Sequence, residues 1–201
     1  MKKFLKNIAL FILVFFLIDK ILYIFLLTSP SLEKDKRLEK IITGEMNKDI
    51  LIFGSSRGAR NVLAKQIQDS LNLSAFNLSY PGSNIVFHEF LIKSVLEFNE
   101  KPKTILLVMD DSDQLKNNPS ISFRFDRLYP LSRYPYINDE LIKKNEKTIL
   151  SKFLISSRIN KRNFDLRKKH FSKFDSLRSD GSMPLYGNKF KKINYEKNNT
   201  Y

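Results

Sequence analysis

Three short polar clusters each follow an apolar run. Gly54-Ser55-Ser56-Arg57 follows Ile50–Phe53; Asn77, Ser79, Gly82, Ser83 and Asn84 come at and after the end of a short run over 73–78; Asp110-Asp111-Ser112-Asp113 follows Ile105–Met109. A serine hydroxyl at the start of a helix, beside backbone N–H groups that the helix leaves unpaired, suits two chemistries. It can attack an acyl carbon, or it can help cradle a phosphate. A glycine such as Gly82 lets backbone amides approach a ligand closely. A pair of acids such as Asp111 and Asp113 can hold a divalent cation.

These clusters share a site only if the elements before them run in parallel. The segment 47–109 alternates strand and helix: strand 49–54, helix 60–71, strand 73–78, helix 84–99 and strand 104–109. That alternation predicts a parallel sheet covered by helices. Ligands of such sheets bind outside the carboxyl ends of the strands, where all three clusters fall. Gly54 is expected to turn the chain sharply at the end of the first strand. A P-loop is excluded, because no Gly-Lys-Ser/Thr follows Gly54 at the required spacing.

The paired clusters carry a resemblance. Gly54-x-Ser56 ending the first strand, and Asn77-x-x-x-x-Gly82 after the second, resemble the first two blocks of the SGNH (GDSL-like) hydrolase superfamily. The variety most similar is the membrane-anchored envelope type, akin to D-alanine-transfer and alginate O-acetylation proteins. The resemblance spans about Asp49 to Asp113 and implies an α/β, three-layer fold with a short parallel sheet (flavodoxin-like or SGNH-like, in part). It implies Ser56 as nucleophile, with the Ser56 and Gly82 amides and Ser112 as oxyanion donors, and Arg57, Asn84 and Asp113 as accessory residues. It further implies ester hydrolysis or acyl transfer on cell-envelope glycan or lipid, with no cofactor.

Two family pieces differ. Asp110-Asp111-Ser112-Asp113 stands in place of Gly-x-Asn-Asp, and the terminal Asp-x-x-His block is not found. Only His88 and His170 could supply an imidazole. Asp165 and His170 are five apart, which on a helix separates them by about 140°. His170 lies in a run of basic residues, and His88 lies on the apolar arc of helix 84–99, as a hydrogen-bonded core histidine would. Catalysis is therefore expected to be weak as the chain stands. A non-catalytic envelope binding or scaffold protein is one alternative, and a metal-dependent glycosyltransferase using Asp111-x-Asp113 is the other.

The N-terminus sets the location. Lys2, Lys3 and Lys6 precede an apolar run at 8–27 broken only by Asp19-Lys20. Twenty helical residues match a hydrocarbon core of ~30 Å. The lysines predict a single-pass anchor with a cytoplasmic N-terminus and an extracytoplasmic domain. No Ala-x-Ala-like site follows, which favours an anchor over a cleaved signal peptide. Asp19 and Lys20 must snorkel, pair, or face a partner helix. The expected divisions are anchor 1–28, a charged stalk 29–46, the α/β domain 47–180 and a loop or frayed tail 181–201. A helix is expected to start at Asn138 and to continue, basic and amphipathic, to about Phe174.

Charge and cysteine content narrow the partners. The chain of 201 residues carries a formal net charge of +14 and no cysteine. Disulfides and thiolate metal sites are thereby excluded. From Lys143 to Tyr201 there are 16 Lys and Arg against 5 Asp and Glu, a net of +11. With the apolar run at the other end, this points to the cell membrane and to anionic lipid or envelope polysaccharide rather than nucleic acid.

Overall fold

The computed structural model describes residues 2–33, 35–109, 121–159 and 177–185. Three strands, β1 (Ile50–Gly54), β2 (Ala75–Asn77) and β3 (Thr104–Val108), form one sheet in the order β2-β1-β3. Both pairings are parallel, with Leu51 opposite Phe76 and Ile105, and Gly54 opposite Val108. The chain is α/β, as the alternation predicts.

The central strand is buried at all five positions. Its alternate side chains serve two cores, as the pleat requires. Leu51 and Phe53 pack with Phe87, Leu91 and Val95 of α6 (Ile85–Phe98) and with Leu38 and Ile41 of α3 (Arg37–Ile42). Ile50 and Ile52 pack on the opposite face with Ala64 and Ile67 of α5 (Ala64–Leu71). The first core extends to Leu128 of α7 (Phe125–Leu128), to Tyr129 and Leu131 just after it, and to Ile137 and Leu141 of α8 (Pro135–Lys143).

Four expectations change. The helix expected over 60–71 is two helices, α4 (Ser56–Asn61) and α5, separated by extended backbone at Val62 and Leu63. The break has a tertiary cause. Asn77 Nδ2 donates to Gly58 O at 2.9 Å and to Val62 O at 2.7 Å, occupying carbonyls that a continuous helix would use itself. Ser182 Oγ and Asp180 Oδ2 then accept the Ala64 and Lys65 amides and cap α5.

The segment expected to be a stalk belongs to the body: Leu38, Ile41, Ile42 and Met46 are core residues, and Arg37 is buried. The start of the segment expected to be a loop or frayed tail, 181–201, is built in as a loop together with Asp180 before it. Asp180 O accepts the Asn77 amide at 2.9 Å, Met183 N donates to Ala59 O at 2.7 Å, and Ser182 and Met183 are buried. The helix expected from Asn138 starts three residues earlier, with Pro135 in its first turn, and ends at Lys143. Asn145 turns out of it with φ +59°.

At the N-terminus, α1 (Lys2–Ile21) and α2 (Tyr23–Thr28) make up a stretch long and apolar enough to cross a membrane. Its side chains are exposed apart from a few, among them Asp19 and Leu26. Asp19 resolves its cost by pairing within the chain. Its carboxylate accepts Ile155 N at 2.7 Å and Ser156 N at 2.8 Å, and Lys20 Nζ lies 3.5 Å away.

Candidate functional site

The rim of the sheet is assembled by backbone contacts before any side chain is considered. Tyr80 N donates to Gly54 O at 2.9 Å, and Leu78 N donates to Ile52 O at 2.7 Å. The loop after β2 is therefore laid along the end of β1. Ser55 and Ser56 leave β1 at the same rim at which the turn Tyr80–Ser83 leaves β2.

Gly54 does not act as expected. It has no positive φ, so it is not the source of a sharp turn. A Cβ there would sit 3.0 Å from both Cβ and O of Val108, so glycine is what lets β1 and β3 close at this level. Gly58 has a similar role, since its Cβ would lie 2.7 Å from Ser79 Oγ. Gly82 is the rim glycine that conformation demands, with φ +73°. Its carbonyl accepts Ser122 N at 2.9 Å, and among the described residues no acceptor takes its N–H.

Ser55 is extended, buried and the residue from which α4 starts; Ser56 opens α4 and is half-buried; Arg57 is exposed. Asn84, an expected accessory residue, is the N-cap of α6, its Oδ1 accepting Phe87 N at 3.0 Å. That bond fixes where α6 begins and so holds the Gly82 turn in place. Asn77 is fully buried and is a latch: besides its two carbonyl contacts, its Oδ1 accepts Ser79 N at 2.9 Å. Asp111, Ser112 and Asp113 lie outside the described residues, as do Asp165 and His170.

His88 is buried, as its place on the apolar arc implies, and its Nε2 is 2.7 Å from Ser83 Oγ. The serine has one proton to give. Ser83 Oγ lies 2.6 Å from Tyr80 O, an atom that only accepts, so the hydroxyl donates there and Nε2–H donates to Ser83 Oγ. Nε2 in that tautomer offers no lone pair to a serine, so the pair is a structural bond and Ser83 is not an activated nucleophile. It carries a polar contact from α6 to the rim, since Ser83 Oγ also lies 3.3 Å from Gly54 O.

Sequence reasoning missed an ionic cluster behind the rim. Arg37, 3 % exposed, donates Nε to Asp35 Oδ1 at 2.9 Å and Nη2 to Asp35 Oδ2 at 2.7 Å. Its Nη1 donates to Ser79 O at 2.7 Å and Gly181 O at 3.2 Å, and the guanidinium lies 4.0 Å from the Tyr80 ring centre. Arg127 donates to Glu33 at 3.2 Å, and Arg124 pairs with Asp126 at 2.7 Å and donates to Pro81 O beside Gly82. Burial pushes the Asp35 carboxyl up, but Arg37 and Arg127 outweigh it and hold it below the usual range. Burial also pushes the Tyr80 phenol up, reinforced by Asp35. The Asp-x-Arg spacing of Asp35 and Arg37 was the only available signal, and in a charged segment it reads as solvated surface.

A cleft of about 300 Å³ is lined by Lys40, Lys48, Lys65 and Asp180, among others, and by neither Ser56 nor Gly82. Among the described residues no group of three or more His, Asp or Glu could hold a metal ion. No family model, characterised protein or solved structure matches this chain.

Proposed function

We propose that the chain is a membrane-anchored, single-pass, extracytoplasmic SGNH-like protein whose Ser56 performs ester hydrolysis or acyl transfer on cell-envelope glycan or lipid. The observation that supports it most is the rim itself: parallel β1 and β2 deliver Ser56 and Gly82 to one edge, held by the Tyr80 N–Gly54 O bond. In this reading Ser56 Oγ attacks the ester carbonyl carbon, and the carbonyl oxygen becomes an oxyanion. The Ser56 and Gly82 amides receive it, each such donor being worth about 2.7–4 kcal/mol of barrier. The proton of Ser56 needs a base, because a serine hydroxyl is a weak nucleophile without one. His88 is committed to Ser83. The base then comes from beyond the described residues or from another chain.

The same commitment of His88 favours a second reading, in which the rim binds an envelope component without turning it over. Labelling of the full chain in membranes with a serine-directed fluorophosphonate separates the two. The catalytic reading expects labelling that Ser56→Ala abolishes and Ser83→Ala leaves in place. Absent labelling, or labelling that survives Ser56→Ala, removes it and leaves the binding reading.

A further inference from the structure

The backbone turn at Ile149–Lys152 and the residues after it lie against the candidate membrane helix at the level of Asp19 and Lys20. Asp19 accepts the amides of Ile155 and Ser156, and Lys20 Nζ donates to Phe153 O at 2.9 Å. Asp19 is 11 residues beyond residue 8, where the apolar run begins, about 17 Å along a helix axis and so past the middle of a ~30 Å hydrocarbon core. Whatever is bonded to Asp19 therefore shares the depth of the outer part of the span.

Three large apolar side chains of this turn point away from the protein: Ile149 is 64 % exposed, Leu150 55 % and Phe153 68 %. In water they would be a cost, and an exposed apolar patch beside an apolar helix is a contact surface. The backbone is prepared for a low dielectric. Ser151 N donates to Thr148 O at 3.0 Å, and Phe153 N and Leu154 N donate to Leu150 O at 3.0 and 2.8 Å. The next two amides go to Asp19. Irregular backbone enters a membrane only when its polar groups are satisfied in this way. Lys152 is exposed on the same turn and pairs with Asp139 at 2.9 Å.

We propose that residues 149–153 are a second membrane contact, seating Ile149, Leu150 and Phe153 in the leaflet from which the anchor emerges, with Asp19 as the internal ligand that fixes the depth. The domain is thus held at the surface at two points, which restricts its tilt relative to the bilayer. This rests on the anchor reading of α1.

The chain has no cysteine, so single-cysteine labelling is clean. Full-length Phe153→Cys, Phe11→Cys in α1 and Ser70→Cys on α5 are each labelled with an environment-sensitive fluorophore and reconstituted into phosphatidylcholine–phosphatidylglycerol vesicles. Quenching by nitroxide-bearing phospholipid and by aqueous iodide is then measured. The expected result is blue-shifted emission and loss to the lipid nitroxide at 11 and at 153, and loss to iodide at 70. Adding Ile149→Asp and Leu150→Asp should return the 153 label to iodide. A 153 label quenched by iodide while the 11 label is quenched by lipid overturns the proposal and leaves the anchor standing. If both are open to iodide, the anchor reading fails and the proposal with it. Protection at 153 that follows protein density instead of lipid nitroxide assigns the turn to a second copy and also overturns the proposal.

Discussion

Replacing Arg37 with methionine tests the cluster behind the rim. Methionine keeps most of the packing against Tyr80 and Met183 but has no donor. Arg37→Met removes two charge-assisted bonds to Asp35 and strands the carbonyls of Ser79 and Gly181, all buried. Hydrogen bonds to charged groups contribute about 1.5–3 kcal/mol each before desolvation is set against them. Breaking a buried ion pair from one side costs about 3–5 kcal/mol, because the remaining charge is left without compensation. For a chain of this size that lowers Tm by roughly 6–20 °C. The assay is thermal and urea unfolding of the full chain in detergent micelles, followed by near-ultraviolet circular dichroism of tyrosine. The acid-side pH dependence should weaken. In the native protein the Asp35 carboxyl is held below its ordinary value, so its contribution is present above about pH 4 and is lost as the pH falls through the folded value. Without the Arg37 side chain only Arg127 and the residue-37 backbone amide oppose burial, so that carboxyl rises from its native value and the variant loses less stability on acidification than the wild type. Adding Asp35→Asn should recover about 2 kcal/mol or more through the coupling of the two positions. A loss below about 1 kcal/mol for Arg37→Met, the size of an exposed pair, would refute the reasoning.

Asn77→Ala should cost about 2–4 kcal/mol in urea unfolding, because the carbonyls of Gly58 and Val62 and the amide of Ser79 lose their buried partner. Gly181→Ala should be at least as damaging, since a Cβ would lie 2.2 Å from Asn77 O at a φ of +80°; a variant with wild-type urea midpoint would show that the 180–183 segment does not dock there. Burial beside Arg158 lowers the Lys147 ammonium to about 8. The folded chain then sheds a proton between pH 8 and about 10.4 that the unfolded chain keeps, so stability rises over that window. Lys147→Met should abolish that share of the rise in urea midpoint between pH 7.5 and 9.5.

Much of the frame is legible in the residues because it rests on local pattern. Ile50–Phe53 is continuously apolar, and a strand central to a parallel sheet has two buried faces. The apolar arc of helix 84–99 places His88 inside, and Asn84 is a side chain that caps helices. Gly82 lies in a Pro-Gly turn that calls for a left-handed residue. What is not legible depends on partners far along the chain. Nothing near Val62 says that a helix stops there; Asn77 and Ser182 decide it. Nothing near Gly54 says that Val108 is its reason.

The sequence by itself determined the apolar helix at the N-terminus, the strand–helix alternation, and the presence of Ser56 and Gly82 after successive strands. Periodicity, run length and turn chemistry are properties of neighbouring residues, so they survive without a fold. Tertiary structure alone decided the fate of the charged groups. Asp19 became the ligand of residues 155 and 156, Asp35 and Arg37 became a buried clamp, and His88 was tied to Ser83. A charge is tolerated in the interior only where an opposite charge or a row of dipoles meets it. That meeting is settled by how distant segments close on one another.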